Sequence, residues 1–402
     1  MVIVQIASAS TGGIGRLTRD ISDVLNQKGI SNYIAYGRGE IFDSERDYMF
    51  GSRTEILMHG ALTRLTDKTG LYSKNGTLQL LEFLDRVKPN IIQLHNLHGY
   101  YLNYEILFQY IKSHNITTVW TLHDCWAYTG HCTHYTFVRC DQWKSQCYRC
   151  TQQRRYPTCW FKGNVKENYE RKRRAFTGVE NLTLVTPSKW LANQTKYSFL
   201  KGYETKVINN GIDLKLFRVK GKTDISKYHI PDKKIVLGLA STWGDRKGES
   251  DFIRLAAMLS PEYVVVMVGL SSQKIKKLPS NVIGIEHTEN VEDLVDIYNA
   301  AEIFLNLTYE DNFPTTNLEA MACGTSVLTY RTGGSPESIT KEVGYVVPVG
   351  DVQAVRDIVV AHRKNHQTIL ACRENALKYD KNDRFNEYVE LYTHLKSKQE
   401  IV

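Results

Sequence analysis

Twice along this chain, short apolar runs of strand length alternate with stretches of helical period, and no other feature constrains the fold as strongly. In the second half the strand-like runs are 235–239, 263–268, 282–285, 303–307, 326–329 and 345–347. Helical stretches at 249–259, 291–300, 314–323 and 351–363 fall between them. The first half repeats the pattern with strands expected at 2–7, 34–38, 91–95, 118–122, 182–186 and 207–208. Its helices are expected up to residue 27, through most of 53–86, at 104–113 and at 189–199, the last capped by Ser188. Strands that alternate with helices form a parallel sheet through right-handed crossovers, so the fold class is α/β with doubly wound sheets. A length of 402 residues accommodates two such domains. Residues 220–234 are polar and read as the connector. The expected division is 1–215 together with a C-terminal helix, 381–402, that packs back on the first half, and 216–380 as the second domain.

In doubly wound sheets ligands collect at the C-terminal ends of the strands, so the loops there carry the functional information. The stretch 309–324, YEDNFPTTNLEAMACG, follows one strand and opens a helix whose first position is expected to be Pro314. Asp311 and Glu319 lie eight residues apart around that boundary, with the free N–H groups of Thr315, Thr316 and Asn317 between them. An acidic loop before an ordinary amphipathic helix would show the same two carboxylates. Other strand-end loops favour a phosphate site. The loop 241–248, STWGDRKG, sets Arg246 and Lys247 beside a helix start, and 331–337, RTGGSPE, supplies Arg331 and the backbone N–H groups of Gly333 and Gly334. The donor-side set is therefore Asn312, Phe313, Pro314, Thr315, Thr316, Arg331, Gly333 and Gly334, joined by Gly12 and Gly13 from the glycine-rich turn 8–15, SASTGGIG. Arg16 and Arg19, at the start of the helix after that turn, are expected to face an anion. Two further strands end in histidine, at His95 and His123, which places both on one sheet edge.

Residues 125–159 interrupt the regular pattern and hold six of the eight cysteines. Cys132, Cys140, Cys147 and Cys150 are spaced C-x7-C-x6-C-x2-C, and the last pair has the spacing that lets one turn present two thiolates to a tetrahedral ion. The insertion has few apolar residues, so a structural zinc would supply folding energy that it lacks. His131 and His134 offer themselves as replacements for a thiolate, Cys125 and Cys159 are spare, and ordinary reduced cysteines remain the alternative. From 154 to 174 Arg154, Arg155, Lys162, Lys166, Arg171, Lys172, Arg173 and Arg174 crowd together. They form either a solvated helix face or a surface that meets an anionic membrane.

Composition excludes some classes. A hydrophobic fraction of 42% with 23% charged residues belongs to a globular protein, and the net charge of +8 suits an anionic partner. The first ten residues lack a basic n-region and read as a strand, not a signal peptide. No apolar run is long enough to cross a bilayer. A cytoplasmic location is therefore expected, where the cysteines would stay reduced.

Across essentially the whole chain these features resemble the retaining glycosyltransferases of family 4. The resemblance rests on Gly12-Gly13, His123-Asp124, 186–188, 210–213, Lys247-Gly248 and 331–337, with Asp311 and Glu319 standing where that family carries two glutamates. The stretch HDCWAYTGHC, 123–132, and the cysteines after it are similar to the subgroup that builds capsule, O-antigen and colanic-acid-type polysaccharides. The resemblance implies the GT-B fold, two Rossmann-like domains facing each other across a cleft. It also implies a nucleotide-diphosphate sugar donor and a glycan acceptor, lipid-linked and presented at the inner face of the cell membrane, with no nucleic-acid partner. Glu319 would hold the ribose hydroxyls, Asp311 would face the donor sugar, and His123 would approach it from the other half. Lys247 and Arg246, the helix N-terminus and the Gly333-Gly334 turn would neutralise the leaving diphosphate without a catalytic metal. One departure stands out. Ser241 and Thr242 occupy the places where the family usually carries an Arg ahead of the Lys, which leaves Arg246, and secondly Arg331, to compensate. A sugar-nucleotide epimerase of the same architecture and an inactive sugar-nucleotide-binding subunit are the competing functions.

Overall fold

The computed structural model describes residues 1–401, with side chains through residue 398. The chain forms two compact units, Met1–Asn209 together with the chain from Arg384 onward, and Asn210–Asp383. These divisions fall a few residues from the expected 215/216 and 380/381.

Unit 1 is built on β1 (Val2–Ala7), β2 (Ser31–Tyr36), β3 (Asp47–Met49), β4 (Ile91–Leu94), β5 (Thr117–Thr121), β6 (Leu182–Thr186) and β7 (Glu204–Val207). They form one parallel sheet in the order β3-β2-β1-β4-β5-β6-β7. Its inner strands β1, β4, β5 and β6 are buried on both faces, so they carry no in–out alternation. Ile3, Ile91, Val119 and Val185 face Phe385, Tyr388 and Tyr392 of the C-terminal helix Lys381–Ile401, so that helix packs back on the first half. Their sequence neighbours Val4, Ile92, Trp120 and Leu184 face the opposite cluster, with Tyr104, Phe108 and Phe176.

Unit 2 repeats the plan with β8 (Lys234–Leu239), β9 (Tyr263–Val268), β10 (Val282–Ile285), β11 (Ile303–Asn306), β12 (Val327–Tyr330) and β13 (Gly344–Val347). The order is β10-β9-β8-β11-β12-β13, again all parallel. Val236, Val265, Leu305 and Leu328 bury against Phe252, Leu255 and Val355 on one face. Leu237, Val266, Phe304 and Val327 bury against Tyr298, Leu318 and Met321 on the other. In each sheet the winding reverses between the first strand and the fourth, β1/β4 and β8/β11. That is where the outgoing loops diverge and leave a crevice at the strand ends.

Several expectations shift. The edge strand β3 was not anticipated, since three residues carry no period. The stretch 53–86 is two helices, Arg53–Thr66 and Lys74–Val87, because the first ends at Asp67 in the left-handed region at φ 62°. Helix His366–Leu377 was also not anticipated; it buries only Cys372, Asn375 and Ala376, too few to mark an apolar face. Ser188 caps its helix as expected, its Oγ accepting from Leu191 N at 3.1 Å. Pro314 is the cap residue, not the first helical one, and the helix runs Thr315–Ala322.

Candidate active site

In unit 2 the loops after β8 and β11 leave adjacent strands at the switch point, and an ion pair joins them. Lys247 Nζ lies 2.5 Å from Asp311 Oδ2, with both side chains about one-fifth exposed. The other oxygen, Asp311 Oδ1, accepts from Asn312 N at 2.9 Å. Two glycines permit this approach. Gly248 is at φ +69°, and a Cβ there would stand 2.2 Å from the Leu307 carbonyl oxygen. Gly333, in the loop after β12, is at φ +54°, and a Cβ there would stand 1.8 Å from the Asp311 carbonyl oxygen. That carbonyl also accepts from Gly334 N at 3.3 Å, so the third loop is locked onto the residue that pairs with Lys247.

Arg246 reinforces the joint mainly through its backbone. Its carbonyl accepts from Tyr309 N at 2.8 Å, and its guanidinium donates to the Glu310 carbonyl at 3.3 Å. Arg331 is exposed beside the Gly333-Gly334 turn. Ser241 and Thr242 are exposed as well. Phe313 and Pro314 are buried, and Asn210 Nδ2 holds the Phe313 carbonyl at 3.1 Å. Thr315 and Thr316 are partly exposed at the helix start, where N–H groups and the helix dipole favour an anion.

Glu319 is buried one turn further on, and Tyr298 donates its hydroxyl to Glu319 Oε2 at 3.1 Å. Burial first, then the adjacent carboxylate, pushes the Tyr298 phenol well above its ordinary value, so it stays a donor. Glu310 is only 2% exposed. Its burial makes it part of the loop's packing.

The sequence did not reveal what holds these loops. Asn317 donates to Ser335 at 3.2 Å and accepts from Asn306 Nδ2 at 2.8 Å, while Thr329 and Ser335 hydroxyls meet at 2.7 Å. This buried network ties β11, β12 and the site helix together. Asp251 Oδ2 accepts from Tyr309 at 2.7 Å and Tyr330 at 2.8 Å, fixing the loop from the helix after Lys247. A polar residue at the end of an apolar strand, as Asn306 is, was the one available signal.

Unit 1 gathers its histidines at the ends of β4 and β5. His95 Nδ1 is 3.1 Å from His123 Nε2, with the rings stacked at 5.4 Å, and His95 Nε2 meets Gln5 Oε1 at 3.3 Å. His98 Nε2 contacts Asp124 Oδ2 at 2.7 Å, and Tyr156 closes the chain on His98 Nδ1 at 2.9 Å. Desolvation holds His95 well below its usual range, with His123 adding to the effect. Desolvation likewise lowers His123 to about 4. Burial alone would raise Asp124, but the facing His98 and the Trp126 N–H outweigh it and hold the carboxyl at about 2. His123 is thus a neutral imidazole at physiological pH. Gly12, at φ +74°, and Gly13 are exposed, with nothing within 4 Å of where a Cβ would stand. Arg19 faces no free anion: it pairs with Asp47 of β3 at 2.6 Å, a partner hidden when that strand is not recognised.

The cysteine-rich insertion is not poor in core, contrary to expectation. Trp126, Tyr128, Tyr135, Trp143, Cys132 and Cys147 belong to the main apolar cluster of unit 1. The basic stretch divides as well. Lys172 is buried, donating to the Trp126 and Thr129 carbonyls at 2.7 and 3.0 Å, and Arg171 and Arg173 pair with glutamates. Arg154, Arg155, Lys162, Lys166 and Arg174 remain exposed, close in sequence to exposed Trp160 and Phe161. Among the described residues no helix is long and apolar enough to cross a membrane.

The model of Glycosyltransferase Family 4 matches residues 11–216, and that of Glycosyl transferases group 1 matches 221–379. The chain belongs to glycosyltransferase family 4. It is 23% identical over 358 residues to WcaC of Escherichia coli K12, named as a glycosyl transferase of colanic acid biosynthesis, covering 85% of each chain. It is 26% identical to the N,N'-diacetylbacillosaminyl-diphospho-undecaprenol alpha-1,3-N-acetylgalactosaminyltransferase of Campylobacter jejuni, over 41% of this chain and 46% of that one. Among solved structures, sucrose-phosphate synthase from Thermosynechococcus elongatus superposes with a TM-score of 0.74 at 16% identity, covering 99% of both chains. Anabaena HepE in complex with UDP-glucose gives 0.67 at 16% identity, covering 98% of this chain and 100% of that one. The fold is therefore GT-B, and the enzyme is a glycosyltransferase with relatives in polysaccharide synthesis.

Proposed function

We propose that this glycosyltransferase transfers a hexosyl unit, with retention at the anomeric carbon, from a nucleotide-diphosphate sugar to a growing lipid-linked glycan of a surface polysaccharide. The Lys247–Asp311 pair at the β8/β11 switch point supports this most directly. It puts a cation and a carboxylate together at the phosphate-receptive end of the sheet. The leaving diphosphate gains charge as the sugar–oxygen bond breaks and an oxocarbenium-like centre develops. Lys247, Arg246, the N–H groups of Thr315 and Thr316 and the Gly333-Gly334 turn, with Arg331 at its edge, stabilise that charge. These groups supply the neutralisation that a catalytic metal would otherwise provide. Asn312, Phe313 and Pro314 shape the donor loop, and Asp311 turns toward the donor sugar when the diphosphate draws Lys247 away. Glu319, held by the Tyr298 hydroxyl, binds the ribose hydroxyls. In unit 1 neutral His123 offers a hydrogen bond to a sugar hydroxyl, and the open Gly12-Gly13 turn admits a ligand oxygen. Retention proceeds by attack on the face the leaving group departs from, with no covalent nucleophile.

The names of the WcaC and Campylobacter relatives support a polysaccharide setting and a polyprenyl-diphosphate acceptor. The exposed basic residues of 154–174 suit the cytoplasmic leaflet that would present it, each contributing about 1 kcal/mol near an anionic surface. The test is a panel of sugar nucleotides in thermal shift, followed by transfer to polyprenyl-diphosphate sugars and NMR of the product. One donor should raise the melting temperature and give a product with the donor's anomeric configuration. An inverted product, or no response to any donor, defeats the proposal. Equal sedimentation with neutral and anionic vesicles at low salt defeats its membrane part.

A further inference from the structure

We propose that Cys132, Cys140, Cys147 and Cys150 hold a structural zinc ion that fixes the inserted segment against the acceptor-side strand ends. The four are spread over nineteen positions of a segment whose regular structure is limited to the short 3-10 turns Trp126–Tyr128 and Gln142–Lys144. The fold nevertheless brings all four to line one small enclosed cavity, shared with His131 and Trp143. Gly130 makes the convergence possible, since a Cβ there would stand 2.8 Å from Cys147 Cβ and 2.4 Å from the Val165 carbonyl oxygen.

A further observation points into the same cavity. His131 is 2% exposed, its Nδ1 is bonded to Asp67, and its Nε2 has no hydrogen-bond partner. A partnerless polar nitrogen buried in the lining marks the cavity as built to hold more than its own side chains.

Among the described residues no three side chains are arranged to hold an ion as they stand. Ligation therefore involves rotation of thiols between staggered wells around the cavity they already share. Four thiols lose their protons to solvent, four Zn–S bonds form, and no electron moves. The segment held in this way continues to Tyr156, whose hydroxyl bonds His98 and through it Asp124. Zinc thus positions the acceptor side without touching substrate.

The experiment is metal analysis of untagged protein, with a mercurial thiol titration that follows zinc release. Cys147→Ser/Cys150→Ser is the test variant and Cys372→Ser the control. About one zinc per chain is expected, released as about four thiols react, absent from the double variant and retained by the control. Should the double variant not fold, cobalt exchanged into the wild-type protein should give the strong visible bands of a tetrahedral thiolate site. Less than about 0.1 zinc per chain, weak octahedral cobalt bands, or a Cys132–Cys150 disulfide in the native protein would each overturn the proposal.

Discussion

Gly333→Ala is the most discriminating single change, because it adds one carbon at the point where three loops meet. The new Cβ would sit 1.8 Å from the Asp311 carbonyl oxygen, where ordinary contact begins at 3.4 Å, so the two must part by about 1.6 Å. The backbone at φ +54° adds a penalty of about 1–2 kcal/mol for an L-residue. The clash meets backbone, not a flexible side chain, so the β11 loop must move, carrying with it the carboxylate that faces Lys247. A shift of about 1 Å in a positioned group can cost about 100-fold in rate. The expected outcome is a fall in kcat/KM of about 100-fold or more. The melting temperature should fall by only about 2–4 °C per kcal/mol of strain. Sugar-nucleotide turnover and calorimetric unfolding measured on one preparation separate the two effects. A variant with wild-type kcat/KM would show that the contact between Gly333 and Asp311 does not position the site. A variant that unfolds outright would show that the strain lies in the fold and not in the loop.

Glu319→Ala should lose activity by about 1.5–3 kcal/mol of transition-state or donor binding, and Glu319→Gln should recover part of it by keeping an acceptor for Tyr298; equal loss in both would assign the effect to charge alone. Asp251→Asn should lower the melting temperature by weakening the bonds from Tyr309 and Tyr330, each about 1 kcal/mol, and Tyr330→Phe should lose less, a ranking read by calorimetry. The pH dependence has a defined sign. His123 is lowered from 6.5 to about 4, so the native state prefers the neutral ring while the unfolded chain takes up a proton. Its contribution is full above about pH 6.5 and is lost as pH falls toward 4. His123→Gln should therefore flatten the acid limb of the melting-temperature profile by roughly one proton's worth, and an unchanged limb would refute the assignment. Asp124 acts lower down: held at about 2, it gives stability above its unfolded value that is lost between about pH 4 and 2.

The sequence by itself determined the class of fold and the address of the site. Runs such as 263–268 are apolar on both faces, and their alternation with helices is what a parallel sheet covered on both sides requires, so the glycine- and cation-bearing loops fall at the strand ends. It placed Lys247, Asp311, Glu319 and Gly333 at strand ends because those positions are local. What it left open depends on partners distant in the chain. Arg19 looked like an anion ligand until β3 supplied Asp47, and Lys172 looked like one more surface cation until burial showed it holding the Trp126 and Thr129 carbonyls. Glu310 and Asp311 are neighbours with the same charge; only the tertiary structure turns one inward and sets the other against Lys247. The insertion 125–159 shows the same division. Its cysteine spacing is local and legible, whereas its burial in the core of unit 1 comes from residues outside the segment, as where His131 bonds Asp67, which no period in the segment encodes.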